Sequence, residues 1–583
     1  MLTIVSCLAF MGFVAWYSWR KTRGHLSSAS GYFLAGRGLT GLFIGGSLLL
    51  TNISTEQLIG QNGLTYAGNM TALAWEVWAV RGIILLAVIF LPMYLGGAFA
   101  TMPTFLKSRY GEGTGRLVSC LLMFGYIFIW SPSVLYSGTL ALMKALDFEG
   151  MTGLSQTQSI WVITWTIGIV GSIYAISGGL RAVAISDTLN GIGLLVIGCL
   201  LPIFGLMALG EKLGGGIGTA LTEITTTHTE KLNAIGTGSE LDAIPISAVF
   251  TGLMVMAIFY WSTNQFIIQR ALGAASLKEG QKGLLLSGFF KMLIPFMAMF
   301  PGLIAFHLFG PDLSPNDMAY PALVEATLPK PLLGLFIAVM LGAVFSTYNS
   351  LLNSSATMFA FDLYKPIFNK EADDRKLISV SKIFAIITAV VTLFLAPNLV
   401  HAADGVFIFV SKFAGFIAIP IAVLVTLGLF AQQLRVPPAA AIFVILFHIL
   451  TYFILVWGLA IFGLEITIHF MHVFTILFIL EALILVAWAK LRPHSEAYLH
   501  LHAPKVPMKA WRFSMLVSAM LLSCAALTYV FFSKLGFAYG DGVVAPSFLT
   551  LLAVSLAICF AFCYWAHAWL QPRYERYVSR KYG

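Results

Sequence analysis

Charged residues are scarce in this sequence. Asp, Glu, Lys and Arg make up only 10% of its 583 residues, whereas 59% are hydrophobic. A soluble domain would carry about 25% charged residues, so the composition excludes an ordinary soluble protein and is typical of one that crosses a membrane many times. Fifteen apolar segments are long enough to span a bilayer. No basic residue precedes the first segment, so we expect a retained span there and not a cleaved signal peptide.

Cysteine pairs and metal-binding clusters are also missing. The six cysteines lie in or beside apolar segments without CxxC or Cys/His spacing, and Cys559 and Cys563 have the four-residue spacing of ordinary helix packing. A membrane enzyme needs a nucleophile with its base, or a metal cluster. No such cluster occurs, and neither does a repeated pore-lining motif typical of a channel. The histidines between residues 307 and 472 stand singly or at the ends of apolar segments: His307, His401, His448, His469 and His472. We therefore expect no enzyme, no cofactor and no disulfide.

The basic residues are distributed unevenly along the chain. The net charge of +9 could by itself indicate an anionic partner such as nucleic acid. Of the 34 Lys and Arg residues, however, 26 fall in one set of alternate connections, five in the opposite set and three inside apolar segments. This alternation follows the positive-inside rule. It predicts an outside N-terminus, a cytoplasmic C-terminus, an odd number of spans, a lipid bilayer as the surroundings and no nucleic-acid partner.

A run of polar residues interrupts the second apolar segment. Asn52, Ser54 and Gln57 stand close together between Leu49 and Gly63. Unpaired polar groups are costly in hydrocarbon, so the run must face protein, water or a ligand. Asn and Ser with glycines nearby also favour an unwound turn, whose backbone carbonyls can bind a cation in mid-membrane. We expect the other helices to surround this break.

A second polar run lies in the ninth apolar segment. Its members recur at the spacing of one helical face and are Ser346, Thr347, Asn349, Ser350, Asn353 and Ser354. In a membrane such a stripe must face the protein interior or a cavity. Sodium prefers oxygen ligands, and carbonyls at an unwound turn together with adjacent hydroxyls would supply them. Serines in membrane helices commonly only join helices by hydrogen bonds, but the two runs together favour an ion pathway.

Further motifs accompany these two runs. They are Asn52-Ile53-Ser54-Thr55-Glu56-Gln57-Leu58-Ile59-Gly60, Gly178-Gly179-Leu180-Arg181-Ala182-Val183 with Asp187, Tyr260-Trp261-x-x-Asn264-Gln265-x-Ile267-Ile268-Gln269-Arg270, Lys282-Gly283, Lys291, Ala319-Tyr320-Pro321, Leu352-Asn353-Ser354 and Asp362-Leu363-Tyr364. In this order and spacing the sequence resembles the sodium/solute symporter family, and within it the sodium/sugar cotransporters of the glucose/galactose type. The resemblance covers residues 30–430. Beyond residue 430 the chain is similar only in having further apolar segments.

The resemblance implies an all-α polytopic membrane protein with a LeuT-type core of two inverted five-helix repeats, flanking helices and about 15 transmembrane helices. It predicts an extra N-terminal helix and basic loop at 1–30, repeat one at 31–210, an external loop at 211–244, repeat two at 245–430 and accessory helices at 431–583. The break near Asn52 would lie in the first helix of repeat one, and the stripe from Ser346 in the third helix of repeat two. In the family these two helices share the sodium site.

The same resemblance implies a set of sodium ligands. They are the backbone carbonyls of Leu50, Ile53 and Ala343 and the hydroxyls of Ser346 and Thr347. Asp187 matches a family acid on the inward ion path. The alternative for Asp187 is an interfacial acid paired with Arg181 or Arg270.

A sugar site is implied as well. Its expected members are Gln57, Glu76, Tyr260, Trp261, Lys291 and Ser411, with Trp75 and Phe407 as an outer aromatic gate. Glu, Gln and Lys supply the acceptors and donors that hydroxyls need, and Tyr260 would form a stacking platform on the inner side. Ala79, Ala257 and Ser411 stand where galactose-type members carry sugar-binding side chains. The prediction is therefore a sugar without a named identity.

Arg81 has two interpretations. The first is a structural salt bridge with Glu76 or another acid. Arg81 follows Glu76 by five residues, which is not the ideal spacing of neighbours on a helix. The second is that Arg81 binds the anionic group of an acidic or sulfated sugar. Glu481 and Lys412, which no motif covers, are interpreted as structural polar contacts.

The predicted function is sodium-coupled import of a hexose-like sugar or related polyol by alternating access. The alternative is sodium symport of another small solute: an acidic sugar, an amino acid such as proline, or a vitamin. Sodium is expected as the coupling ion. Short loops and the lack of a long extramembrane domain favour a bacterial inner membrane.

Overall fold

The computed structural model describes residues 2–22, 34–99, 101–314, 316–401, 406–459, 463–464, 468–495, 504–540 and 543–582. Helices dominate these residues, and no β-strand occurs among them. In chain order the main helices are α1 Leu2–Thr22, α2 Gly41–Asn52, α3 Thr55–Ala67, α4 Met70–Gly96, α5 Glu112–Ala145, α6 Gln156–Lys212, α7 Gly252–Thr263, α8 Gln265–Leu272, α9 Leu277–Phe309, α10 Lys330–Phe368, α11 Asp374–Val400, α12 Val406–Phe430, α13 Pro438–Gly458, α14 Phe470–Leu491, α15 Ser514–Phe531 and α16 Phe548–Tyr582. Shorter helices are Met102–Tyr110, Phe148–Thr152, Ile217–Thr226, Ile246–Phe250 and Ala319–Thr327.

Twelve segments of the described chain are long and apolar enough to cross a membrane, and α6 holds two of them, Gln156–Ile176 and Val183–Lys212. The other three predicted spans correspond to shorter apolar helices, Val5–Ser18, Gly41–Asn52 and Gly252–Thr263. The count of fifteen spanning helices is therefore not confirmed. Two of the three short helices end where the chain leaves helical geometry in the middle of an apolar segment.

The first interruption separates α2 from α3. Ile53 has φ −85° and ψ 83°, and Ser54 is extended with φ −86° and ψ 167°. Asn and Ser side chains compete with the backbone for hydrogen bonds, which favours non-helical geometry at this point. Because the last carbonyls of a helix lack intrahelical donors, the break leaves acceptors free at the end of α2.

A second interruption, which the sequence analysis did not predict, separates α7 from α8. Asn264 has φ −72° and ψ 119°, and the preceding turn of α7, Ile258–Thr263, is wound as a wider π-helix. Two phenols hold this break. The Tyr94 hydroxyl donates to the Ser262 carbonyl oxygen at 2.9 Å, and the Tyr126 hydroxyl donates to the Asn264 side-chain oxygen.

The helices that follow the two breaks share one feature. Wide π-turns occur in α4 at Leu86–Phe90 and in α5 at Tyr126–Trp130. The corresponding helices after the second break, α9 and α10, carry π-turns at Pro295–Met299 and Phe359–Phe368. A broken helix is thus followed in both halves by two helices with locally widened backbone.

Close packing places α2 at the centre of the protein. It contacts α6, α9 and α10. A Cβ atom on Gly45 would lie 2.8 Å from Leu286 Cδ2 and 3.0 Å from the Gly283 carbonyl oxygen, so only glycine permits this approach of α2 to α9. The C-terminal helices are peripheral, since α13 and α14 pack on α12 while α15 packs on α9.

Candidate functional site

The break after α2 lies against the polar stripe of α10. The Thr347 hydroxyl donates to the Thr51 carbonyl oxygen at 3.2 Å, and the Thr51 and Ser346 hydroxyl oxygens are 3.4 Å apart. All six polar residues of the stripe are buried, which confirms that the stripe faces the protein interior. The end of a helix and two adjacent hydroxyls therefore meet in a buried place.

The remaining predicted sodium ligands lie in the same region. Leu50 and Ile53 flank Thr51 at the end of α2, and Ala343 lies one turn before Thr347 in α10. All three are fully or almost fully buried. Among the described residues no backbone amide donates to the Leu50 carbonyl oxygen, because the residue four positions later is the extended Ser54.

Asp187 of α6 lies next to this cluster and is buried. Its carboxylate accepts hydrogen bonds from Ser47 at 2.7 Å and from Thr51 at 3.5 Å, and it forms an ion pair with Arg270 at 3.2 Å. The Arg270 guanidinium also donates to the Ser350 hydroxyl. The pairing of Asp187 with Arg270, which is the alternative to a role on the ion path, is thus observed, and both side chains are buried in the protein. The Arg181 side chain lies outside the described residues.

A single cavity brings together the predicted substrate residues. All eight of them line it: Gln57, Trp75, Glu76, Tyr260, Trp261, Lys291, Phe407 and Ser411. Thr347 lines it as well, so the cavity is continuous with the hydroxyls that face the break in the chain.

The polar end of the cavity is built around Glu76. Its carboxylate accepts a hydrogen bond from Gln61 at 2.7 Å and forms a buried ion pair with Lys291. The Lys291 ammonium also lies 5.6 Å from the centre of the Trp261 ring. Burying two charges is tolerable because they are paired and hydrogen-bonded. The pair joins α4 to α9 across one side of the cavity.

Aromatic rings form the other walls. Trp75 and Phe407 meet edge to face with ring centres 5.4 Å apart. Phe407 reaches this position because residue 60 is glycine, where a Cβ atom would lie 2.7 Å from the Phe407 Cβ. Tyr260 contacts the Trp261 ring, and its hydroxyl accepts a hydrogen bond from the Asn52 amide at 3.0 Å.

The three positions that depart from galactose-type members also face the cavity. Ala79 and Ala257 contribute only small apolar surface. The Ser411 hydroxyl donates to the Phe407 carbonyl oxygen of its own helix at 2.8 Å. Hydrogen-bonding capacity on this wall is therefore reduced.

Arg81 does not line the cavity. Its guanidinium donates to the carbonyl oxygens of Val249 at 2.7 Å and Trp78 at 3.2 Å, and it lies 5.0 Å from the centre of the Trp78 ring. The predicted salt bridge between Arg81 and Glu76 is wrong, because Glu76 is paired with Lys291. Arg81 satisfies backbone carbonyls of α4 and of Ile246–Phe250 instead.

The two remaining polar residues make contacts among the outer helices. Glu481 of α14 and His448 of α13 are 2.6 Å apart and fully buried, and His448 is 3.1 Å from the Gly415 carbonyl oxygen of α12. The Lys412 carbonyl accepts a hydrogen bond from Tyr452 at 2.7 Å. These contacts attach α13 and α14 to the helix that carries Phe407.

Several cavity residues were missed by the sequence analysis. The polar one is Gln61, since the sequence marks Asn52 already as part of the break, and the aromatic ones include Trp130 and Phe266. Gln61 lies one turn after Gln57 in the same polar run, so helical periodicity could have identified it. Nothing in the sequence marked Trp130 or Phe266 apart from many other aromatic residues.

Comparisons with known proteins agree with this architecture. The model of the sodium:solute symporter family matches residues 32–442. The uncharacterized symporter YidK of Escherichia coli (strain K12) is 37% identical over 566 residues, 96% of each chain. The sodium/glucose cotransporter of Vibrio parahaemolyticus is 28% identical over 456 residues, 74% of this chain and 82% of that protein.

A solved structure has the same fold. It is the substrate-bound, outward-open state of a Na⁺-coupled sialic acid symporter, with a TM-score of 0.72 at 19% identity, covering 85% of this chain and 99% of that one. At this identity the likeness concerns the fold alone. The predicted all-helical, LeuT-type polytopic fold is confirmed, whereas the repeat boundaries stay predictions.

The family match covers most of the chain, and the relatives are membrane transporters. The expectations of a multi-pass membrane transporter and of no enzyme are therefore confirmed. The family name also indicates sodium as the coupling ion. On these grounds the chain belongs to the sodium:solute symporter family.

Proposed function

We propose that the protein imports a neutral sugar or closely related polyol together with sodium, by alternating access. The observation that carries this proposal is the cavity in which the Glu76–Lys291 pair and Gln61 face aromatic walls. Sugars present hydroxyls around their edges and apolar C–H groups on their faces. A mixture of donors, acceptors and aromatic rings suits both.

The charge balance of the cavity favours a neutral solute. Glu76 and Lys291 are its only acid and base among the described lining residues, and they neutralise each other. An acidic sugar would need an unpaired cation, and Arg81 lies outside the lining. This argues against the second interpretation of Arg81.

Unpaired acceptors in the lining favour a solute rich in hydroxyls. In the described part of the cavity, three buried amide oxygens accept no hydrogen bond from the protein: those of Asn52, Gln57 and Gln61. Buried acceptors are costly when left alone, so a ligand with several O–H donors would bind well there. The sodium/glucose cotransporter among the relatives adds support.

For sodium we propose the ligands implied by the resemblance. They are the carbonyls of Leu50, Ile53 and Ala343 with the hydroxyls of Ser346 and Thr347. The proximity of Thr347 and Ser346 to Thr51 supports this assignment, since the hydroxyls already lie beside the end of α2. We also propose Asp187 as a station on the inward ion path, because it borders the same cluster.

The proposed cycle uses the broken helices. Sodium would join α2 to α10 and favour the state that binds solute, and a ligand shifts such an equilibrium only by its differential affinity for the two states. Trp75 and Phe407 would close the outer side, and Tyr260 the inner side. The repeated pattern of break and π-turns supports repeats at 31–210 and 245–430. We propose that the N-terminus lies outside and the C-terminus in the cytoplasm, because of the distribution of Lys and Arg. The short loops support a bacterial inner membrane.

The test is uptake by proteoliposomes that contain the purified protein. A panel of labelled neutral sugars, acidic sugars, polyols, proline and vitamins is offered under an inward sodium gradient and, separately, with choline in place of sodium. We expect saturable, sodium-dependent accumulation of a neutral sugar or polyol. Accumulation of only an acidic sugar, an amino acid or a vitamin would refute the assignment of the solute, and equal uptake in choline would refute the coupling.

A further inference from the structure

The last twelve residues of α16, Gln571–Tyr582, form a helix with two different faces. One face packs on the protein through Gln571, Tyr574, Val578 and Tyr582. Tyr582 fits against Gly96, where a Cβ atom would lie 2.7 Å from its ring. The opposite face has no role in the proposed transport function.

That opposite face is strongly basic. Arg573, Arg576, Arg580 and Lys581 line one surface groove together with Tyr577. Within the described part of the chain none of these four cations forms an ion pair with an acid. Arg573 and Arg576 donate to carbonyls of their own helix, and Lys581 donates to the Tyr577 hydroxyl at 3.2 Å. Four cations in one groove repel each other unless an anion lies among them.

The position of the groove indicates where that anion would come from. The preceding part of α16, Phe548–Trp565, exposes large apolar side chains such as Leu549 and Phe560 and is therefore suited to contact lipid tails. Trp565 and Trp569 follow with stacked rings 5.3 Å apart, and the Arg573 guanidinium lies 3.4 Å from the centre of the Trp569 ring. Tryptophan pairs of this kind sit at the level of lipid headgroups. The basic groove begins directly beyond them.

The helix is also held rigidly. The Tyr574 hydroxyl accepts a hydrogen bond from Gln281 of α9 at 2.7 Å and donates to the Val88 carbonyl oxygen of α4 at 2.9 Å. Gln571 accepts a hydrogen bond from the Met515 amide at 2.9 Å. These contacts fix the backbone that carries the four cations, which lowers the cost of binding.

We propose that this groove, defined by Arg573, Arg576, Tyr577, Arg580 and Lys581, binds the phosphate headgroup of an anionic phospholipid. Arginine forks match phosphate oxygens in geometry, and clustered cations next to a membrane span attract anionic lipid. Because Tyr574 bridges α4 and α9, a lipid in the groove stabilises the junction of the two helices that carry Glu76 and Lys291.

The experiment compares full-length variants purified in a neutral detergent. The triple variant Arg576→Gln, Arg580→Gln, Lys581→Gln removes three cations of the groove but leaves the packed face unchanged. The matched control, Lys370→Gln, Arg375→Gln, Lys376→Gln, removes three exposed cations, one from the connection between α10 and α11 and two from the first turn of α11. Thermal unfolding is recorded with added phosphatidylglycerol, phosphatidylcholine or inorganic phosphate, and native mass spectrometry counts retained lipid.

We expect phosphatidylglycerol, and not phosphatidylcholine, to raise the unfolding temperature of the wild type and of the control variant. The triple variant should lose most of this shift and retain less phosphatidylglycerol. An equal shift in the triple variant would overturn the proposal. A shift produced as well by inorganic phosphate would overturn the lipid assignment. Neither readout depends on transport, so the result stands apart from the test of the proposed function.

Discussion

The Thr347 hydroxyl donates a hydrogen bond of 3.2 Å to the carbonyl oxygen of Thr51, although 296 residues separate them. This contact brings the broken end of α2 against the polar stripe of α10. Backbone acceptors and side-chain hydroxyls of distant segments therefore share one buried volume. Most of the proposed mechanism depends on this relationship.

The first prediction concerns the hydroxyls at this junction. Thr347→Val keeps the shape of the side chain but removes one proposed sodium ligand. A hydrogen bond or ligand to a charge contributes about 1.5–3 kcal/mol, so the sodium concentration for half-maximal uptake should rise about tenfold to a hundredfold. Ser355→Ala is the matched control, because this buried hydroxyl bonds only the Leu351 carbonyl of its own helix. Equal sodium dependence in both variants would speak against the proposed site.

The Glu76–Lys291 pair gives the second prediction. Glu76→Gln or Lys291→Met alone leaves a buried charge without its partner, which costs about 3–5 kcal/mol. Each single variant should unfold at a clearly lower temperature and lose solute uptake. The double variant should recover most of its stability but not its uptake, since the polar contacts to solute are still missing. Lys107→Gln, at the exposed Lys107–Glu112 pair, is the control and should change little. Single variants as stable as the wild type would contradict the prediction.

The third prediction separates the two interpretations of Arg81. Arg81→Ala leaves the Val249 carbonyl without its donor and uncovers the Trp78 ring, so the unfolding temperature should fall. The order of preference among neutral and acidic sugars should stay the same, because Arg81 does not line the cavity. Competition assays with both classes of sugar measure this order. A selective change for acidic sugars would show that Arg81 meets the solute.

Lys231, in the connection between α6 and α7, gives a pH-dependent prediction. Its ammonium donates to the carbonyl oxygens of Tyr66 at 2.8 Å and Gly68 at 2.9 Å, at the end of α3. Burial lowers the pKa of Lys231 from 10.5 to about 8, although nearby Glu230 opposes the shift. The unfolded chain then binds this proton more strongly than the folded protein does. Between pH 8 and 10.5 this residue should therefore make the free energy of unfolding rise with pH.

Thermal unfolding across that pH range measures the effect. In Lys231→Met the free energy of unfolding should lose this rise with pH. At pH 10.5 the variant should be less stable than the wild type, because it lacks the three hydrogen bonds from Lys231 to backbone carbonyls. Lys534→Met removes an exposed lysine and should follow the wild-type curve. Parallel curves for wild type and Lys231→Met would contradict the assignment.

The break after α2 could be predicted from sequence because Asn and Ser stand inside an apolar segment, where regular helix is a poor solution for them. The same reasoning applied to Ser262, Thr263 and Asn264 would have predicted the second break. The neighbouring Tyr260 and Trp261, however, are typical of a substrate site and direct attention away from the backbone. Local chemistry is thus informative about where a membrane helix stops being regular.

Pairings between distant segments could not be predicted from local pattern. Glu76 and Lys291 are 215 positions apart, and their burial showed only that each needs some partner. Closeness in sequence favours Glu76 as the partner of Arg81, whereas its acceptors are the carbonyl oxygens of Val249 and Trp78. Family resemblance, and not periodicity, grouped the eight residues that line one cavity.

The two broken helices differ in what secures them. At Asn264 the joint is pinned by phenols from α4 and α5, which are parts of the protein and cannot depart. Near Ile53 the protein also contributes contacts, through Thr347 and Tyr260. The buried Leu50 carbonyl oxygen, however, accepts no backbone hydrogen bond among the described residues, and the proposed sodium ion would bind there and leave in every turnover. In the proposed cycle the contacts at Asn264 therefore stay constant, whereas those at Ile53 depend on the sodium concentration of the surrounding solution. Substitutions of Tyr94 or Tyr126 should impair folding. Substitutions of the proposed sodium ligands should instead change how strongly solute accumulation depends on the sodium gradient.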